Sequence, residues 1–201
     1  MQPRSYGILL LCVICGPAIP AQSAGAPNQG GTIVGEVIFR GTVPPPQTRT
    51  VSRNSDFCGK TVSVQPLLVD AASRGVQDAV VSVEAQPGGT EAAPTPILLS
   101  ARKCAFEPKV VAAQVGQSVM VGNDDPVMHN VNVTLRGRTV MNEALVADGS
   151  AVEKTLARPG PHSLVCNAHK FMTGHLLTFE HPYFAVSSAT GRFRIAGLPP
   201  G

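Results

Sequence analysis

The chain has 201 residues, of which 43% are hydrophobic and only 14% are charged, and its formal net charge is +3. This balance argues against an intrinsically disordered chain and against a coiled coil. No run of Lys or Arg exceeds two residues, so the charge pattern has no footprint of a nucleic-acid partner. The sequence also lacks a phosphate-binding loop and a nucleophile elbow, which argues against NTP-driven machines and large hydrolases.

Residues 1–26 have the pattern of a secretory signal peptide. Arg4 precedes an apolar stretch from Ile8 to Ile14, and small residues follow it. The apolar stretch is too short to cross a bilayer as a helix, so we expect no transmembrane segment in the mature chain. The predicted location is therefore the periplasm or the extracellular space.

Short alternating segments, separated by Gly and Pro, run through the rest of the chain. They predict an all-β protein of the Greek-key β-sandwich class. The Gln86–Pro96 stretch reads as a linker or surface loop, and Thr139–Asp148 is the one stretch that predicts a helical turn. The predicted strands are 32–39, 61–64, 79–83, 97–99, 109–115, 118–121, 130–135, 152–156, 163–166 and 176–179.

Three cysteines remain once the predicted signal peptide is removed: Cys58, Cys104 and Cys166. In an exported protein, an odd number means one disulfide and one free thiol, or no disulfide at all. The unpaired cysteine then needs a reason to persist in an oxidising compartment.

The strongest chemical signal is the C-x2-H-x2-M cluster of Cys166, His169 and Met172. His129 lies upstream, just after an Asp-Asp-Pro turn. A thiolate, two imidazoles and a thioether form the ligand set of a mononuclear blue-copper site, because soft sulfur suits Cu(I) and imidazole suits both oxidation states. Alone, each residue would more often be a buried thiol, a turn histidine or a core methionine.

Residues 97–181 resemble a cupredoxin of the amicyanin and plastocyanin type. The resemblance rests on the stretch from Cys104 to Val119, on the Asn123–Val131 turn and on the C-x2-H-x2-M spacing. It implies one type 1 copper per chain, held by four ligands, with Asn130 linking the two ligand loops by hydrogen bonds. The ligands implied by the resemblance are His129, Cys166, His169 and Met172.

Two features depart from the pattern of that family. Lys170 and Phe171 stand where relatives often carry Pro and an aromatic residue, and Lys170 would raise the positive potential near the metal. His162 stands where relatives often have Tyr, and it is either a packed strand residue or an additional ligand. The two remaining cysteines, Cys58 and Cys104, are expected to form a disulfide that ties the N-terminal segment to the cupredoxin. His175 and His181 are expected on the surface or in packing contacts.

The flanks of this region resemble a transthyretin-like β-sandwich, as found beside carboxypeptidase domains. The resemblance rests on stretches that begin at Gly31, Gly75 and Phe184. The expected organisation is a signal peptide (1–26), an N-terminal β segment (27–95), a cupredoxin domain (96–182) and a C-terminal β tail (183–201) that completes the N-terminal segment and is itself truncated.

Three functions fit these expectations. The first is a non-enzymatic one-electron carrier between redox protein partners. The second is copper binding for delivery or storage, and the third is a metal-free surface-binding sandwich. A multicopper enzyme would need additional His-x-His or His-Cys-His ligands, which are absent from the sequence.

Overall fold

The computed structural model describes residues 30–84 and 95–199. The predicted signal peptide and most of the predicted 86–96 loop lie outside the described residues. No helix in the described part of the chain is long and apolar enough to cross a membrane.

Fifteen strands and one short helix make up the described fold. The elements in chain order are β1 (Gly31–Glu36), β2 (Gln47–Thr50), α1 (Ser55–Cys58), β3 (Thr61–Val64), β4 (Val80–Ser82), β5 (Ile97–Arg102), β6 (Ala105–Glu107), β7 (Val110–Gln114), β8 (Ser118–Asn123), β9 (His129–Leu135), β10 (Arg138–Leu145), β11 (Val152–Thr155), β12 (Gly160–Cys166), β13 (Thr173–Phe179), β14 (Phe184–Val186) and β15 (Arg192–Leu198).

Two sheets form the main body of the protein. One has five strands in the order β10-β9-β12-β13-β7, and the other has four in the order β11-β8-β5-β6. Buried side chains from both sheets belong to one hydrophobic core. The predicted all-β sandwich is therefore confirmed.

Strand alternation fixes which residues face that core. In β9 every second residue is buried, beginning with His129 and ending with Leu135. In β12 the same alternation buries Leu164 and Cys166. Because successive side chains of a strand point to opposite faces, a polar ligand at a strand end shares the inner face of its apolar neighbours.

The helical turn predicted for Thr139–Asp148 is wrong. Most of this stretch belongs to β10, which pairs antiparallel with β9. The reason lies in the connection: Arg136 and Gly137 both have positive φ, as the two-residue hairpin turn between twisted strands requires. Once the hairpin has formed, Met141 faces Val133 across the ladder and is buried in the core.

Strands from the two ends of the chain pair with each other. β1 pairs antiparallel with β15, and β4 pairs antiparallel with β14. Gly75 lies against this junction, since the backbone N–H of Val76 donates to the Val37 carbonyl and the Val37 N–H donates to Gly191. The assignment of these strands to a separate transthyretin-like domain stays a prediction.

Substitution of Gly75 by Ala should destabilise this junction. A Cβ at Gly75 would collide with the backbone carbonyl of Thr190, and backbone cannot move aside as a flexible side chain can. We expect a loss of about 1–3 kcal/mol of unfolding free energy, the usual range for overpacking, in urea denaturation. Gly31→Ala is the matched control, because its Cβ would make only ordinary contacts with Leu198. Equal stability of the two variants would contradict the described packing.

Candidate metal centre

Three metal-ligating side chains converge at one end of the sandwich. The Cys166 Sγ lies 3.8 Å from the His129 Nδ1 and 3.7 Å from the His169 Nδ1, and the two Nδ1 atoms are 3.1 Å apart. All three residues are buried, with exposed fractions of 0%, 0% and 2% for His129, Cys166 and His169. His129 is 37 residues from Cys166 and 40 residues from His169 in the sequence, and the fold brings the three together.

The triangle formed by these three atoms has the size that a metal ion requires. A triangle with these sides has a circumradius of about 2.1 Å, so one point lies at that distance from all three donor atoms. Metal–sulfur and metal–imidazole bonds to transition metals are about 2.0–2.3 Å long. One ion therefore fits between the donors without any movement of the side chains.

Strand pairing and a tight loop produce this convergence. Cys166 is the last residue of β12 and faces Val131 of the antiparallel strand β9, which begins with His129. The loop after Cys166 closes on itself, because the Cys166 N–H donates to the Met172 carbonyl and the Met172 N–H donates to the His169 carbonyl. The loop thus places His169 close to Cys166, at the end of β12.

Each histidine has a hydrogen-bond acceptor at its outer nitrogen. The His129 Nε2 lies 2.9 Å from the Asp125 Oδ2, and the His169 Nε2 lies 3.1 Å from the Asn54 Oδ1. Both oxygens accept, so both Nε2 atoms donate and carry the protons. This arrangement leaves the two Nδ1 atoms, which face Cys166, as the nitrogens that could bind a metal ion, and such outer partners orient metal ligands generally.

Asp125 is a buried carboxylate with three N–H donors around it. Besides His129, the backbone N–H groups of Lys103 and Cys104 donate to it at 2.6 Å and 2.8 Å. Cys104, Asp125 and His129 are close enough to form a second cluster of ligand type. The Cys104 sulfur is bonded to Cys58 and cannot also act as a thiolate ligand. We therefore interpret this cluster as one that orients His129 and not as a second metal site.

Hydrogen bonds determine the protonation of the metal-free cluster. Burial raises the pKa of the Cys166 thiol, but hydrogen bonds from His129 and the Asn130 backbone outweigh it, so the pKa lies below its ordinary value. Burial lowers the pKa of His129, but Cys166 and Asp125 reverse the balance and the pKa is raised. Burial, followed by the nearby His129, lowers the pKa of His169. These hydrogen bonds thus ease the loss of the Cys166 thiol proton, and a cysteine must lose that proton to bind a metal ion.

Asn130 links the two ligand loops. Its backbone N–H lies 3.4 Å from the Cys166 sulfur, and its side-chain oxygen accepts from Asn167 at 2.8 Å. The Asn167 N–H also donates to the Asn130 carbonyl. Lys170 points back along the ligand loop and donates to Asn167.

Met172 lies beside Cys166 in the hydrophobic core and is 2% exposed. Its backbone is fixed by the two hydrogen bonds that close the ligand loop. Its role as the weak axial ligand stays a prediction.

The other histidines lie apart from the cluster. His162 is buried in β12, where its Nδ1 donates to the Gly160 carbonyl. His181 is packed between the rings of Phe179 and Tyr183, and His175 is exposed. Neither metal-type cluster found among residues 30–84 and 95–199 includes any of the three. His162 is thus placed as a packed strand residue.

The stability of the fold should depend on pH through His162. Burial lowers the pKa of His162, although hydrogen bonds to the backbone of Gly160 and Leu176 oppose this. The unfolded chain therefore binds a proton more readily, and stability should fall as the pH drops through about 6.5, the ordinary histidine value. His162→Phe should show a shallower decline between pH 7 and 5 in urea denaturation. An unchanged slope would mean that His162 does not contribute to it.

Cys58 and Cys104 form a disulfide, with their Cα atoms 5.7 Å apart. This distance lies within the usual range for disulfides. The bond connects α1 to the turn between β5 and β6, beside Asp125. Cys166 is the free cysteine among the described residues.

The sequence does not predict the two hydrogen-bond partners of the histidines, Asp125 and Asn54. Asp125 sits in an Asp-Asp-Pro turn and is buried, whereas the adjacent Asp124 faces outward and pairs with Arg102. Asn54 is 115 residues from His169 and carries no motif. The one available signal was the position of Asp125 four residues before a candidate ligand.

No family model and no curated protein matches this chain. Several solved structures are similar to about half of it. They include a copper-containing nitrite reductase from Thermus scotoductus (22% identity, 50% of this chain, 26% of that chain, TM-score 0.41), a purple cupredoxin from Nitrosopumilus maritimus (20%, 41%, 99%, 0.37) and amicyanin from Paracoccus versutus (20%, 51%, 100%, 0.39). The chain thus spans about a quarter of the nitrite reductase. With TM-scores this low, we infer nothing about the site from these structures. The metal centre is assigned from the distances between its own side chains.

Proposed function

We propose that this protein is an exported type 1 copper protein of the cupredoxin kind that carries one electron between protein partners. The observation that supports this most strongly is the convergence of the Cys166 sulfur with the Nδ1 atoms of His129 and His169 on one buried point. One thiolate with two imidazoles, and a thioether nearby, is the donor set that suits copper in both oxidation states.

The role of the protein side chains is to hold and shield the metal. Both imidazoles are oriented from outside by hydrogen bonds, and Cys166 is fixed by the Asn130 N–H. Copper bound there would supply the change between Cu(II) and Cu(I). Ligands held this rigidly would move little between the two states, which favours electron transfer.

Copper delivery is the second candidate function. A delivery site must release its metal readily, and such sites expose their ligands to the receiving protein. Here all three ligands are buried and fixed by hydrogen bonds, an arrangement that favours retention of the metal. A site that binds only Cu(I), or binds it weakly, would favour delivery instead.

Titration of the purified protein with Cu(II), followed by visible absorption and EPR, tests this proposal. We expect saturation at one copper per chain, an intense thiolate-to-copper band, and reversible bleaching when one electron per copper is added. A colourless complex, or a band that does not return after reoxidation, would contradict the carrier function.

Substitution of Met172 by Leu should retain copper and colour but raise the reduction potential. The reason is that an axial thioether stabilises Cu(II) relative to Cu(I), and its removal favours the reduced state. Voltammetry of the variant and the wild type measures the difference. A lower potential, or loss of the visible band, would show that Met172 has another role.

A further inference from the structure

His169 lies in a loop at the end of the sandwich, yet it is almost completely buried. Loop residues at a domain end are usually open to solvent. The cover comes from the N-terminal part of the chain, in the segment between β2 and β3 (residues 51–60).

Asn54 makes the direct contact from this segment. Its Oδ1 lies 3.1 Å from the His169 Nε2, and the Arg53 backbone also forms a hydrogen bond with His169. Asn54 occupies the N-cap position of α1 in the left-handed conformation, but its side chain makes no capping hydrogen bond to the helix. The side-chain oxygen of an N-cap asparagine usually accepts a hydrogen bond from an N–H group of its own helix. In Asn54 this oxygen accepts from His169 instead.

The backbone around Asn54 is held from both sides. The N–H groups of Phe57 and Cys58 donate to the Asn54 carbonyl, and the Val51 N–H donates to Lys60. Cys58 is bonded to Cys104, whose N–H donates to Asp125, the outer partner of His129. The outer partners of the two histidines are therefore connected through one disulfide.

We propose that residues 51–60 are a built-in cover of the metal centre, and that Asn54 is the positioning residue for His169. Through its Oδ1, Asn54 keeps the proton on Nε2 and directs Nδ1 to the metal position. A partner protein would then meet the cover rather than the imidazole edge. This inference rests on the proposed copper site.

The test compares three variants of the full protein: Asn54→Ala, Asn54→Asp and Ser55→Ala. Asn54→Ala should weaken Cu(II) binding about 10- to 100-fold in competition with a chelator, the usual effect of losing a ligand's outer partner. Asn54→Asp keeps an acceptor oxygen and should restore most of the affinity. Ser55 is exposed on the same helical turn and forms no hydrogen bond to His169, so Ser55→Ala should bind copper as the wild type does.

A second measurement uses the metal-free protein. In heteronuclear NMR, the His169 ring should show a proton fixed on Nε2 and slow solvent exchange in the wild type and in Asn54→Asp. Asn54→Ala should show mixed tautomers and faster exchange, which a merely structural loss in a folded protein would not cause.

The proposal is overturned if Asn54→Ala matches Ser55→Ala in both measurements. A different result would show that the proposed copper site is wrong. In that case Cys166→Ser would bind copper as tightly as the wild type does. The NMR comparison would still decide the role of Asn54 in that case.

Discussion

The Cys166→Ser variant of the copper-loaded protein should lose the intense visible band completely. The band of a type 1 site arises from charge transfer between a thiolate and copper, and Cys166 is the free cysteine among the described residues. A serine is similar in size, so the fold should persist, with a loss of about 1–3 kcal/mol for burying a hydroxyl in place of a thiol. Absorption spectroscopy after addition of one equivalent of Cu(II) gives the answer.

The comparison variant is Met172→Leu, which removes the other sulfur of the proposed ligand set and should keep the colour. Circular dichroism of both variants verifies that they are folded. A Cys166→Ser protein that still turned blue with copper would end the assignment of Cys166 as a ligand.

Asp125→Ala should cause a large loss of stability even without metal. Asp125 is 3% exposed and accepts hydrogen bonds from His129 and from the backbone of Lys103 and Cys104. Truncation leaves the buried donors of His129 and Cys104 unpaired, at about 1–3 kcal/mol each, so we expect at least about 2 kcal/mol less unfolding free energy. Urea denaturation of the metal-free protein measures it.

The neighbouring Asp124 provides the control for this second prediction. Its carboxylate is exposed and pairs with Arg102, and exposed ion pairs contribute little to stability. Asp124→Ala should therefore have a much smaller effect. Asp125→Asn retains one acceptor oxygen and should lie between the two. The account of Asp125 as a buried support would be wrong if the two alanine variants were equally stable.

The sandwich strands could be predicted because their buried faces alternate in the sequence. β9 and β12 are the clearest cases, since each buries every second residue along most of its length. The candidate ligands could be predicted because Cys166, His169 and Met172 lie close together in one loop. His129 is 37 residues upstream of Cys166, so the sequence spacing alone does not place it beside the other three.

The cover and the outer partners could not be predicted, and the reasons are physical. Residues 51–60 show no apolar alternation and no ligand motif, so nothing in their sequence indicates a contact with the metal centre. Asn54 acts through a contact that depends on a disulfide and a tertiary fold. The sequence does not predict β10, because the two-residue connection that precedes it, Arg136-Gly137, lacks the usual Asn-Gly or Asp-Gly signal of a hairpin.

The most direct test of the central claim is X-ray absorption at the copper edge of the wild-type protein loaded with one equivalent of copper. For the proposed copper site we expect one sulfur and two nitrogen neighbours, each at about 2.0–2.3 Å, with the nitrogens belonging to imidazole rings. Only nitrogen and oxygen neighbours around the metal, without a short sulfur distance, would contradict the claim that His129, Cys166 and His169 form a copper site.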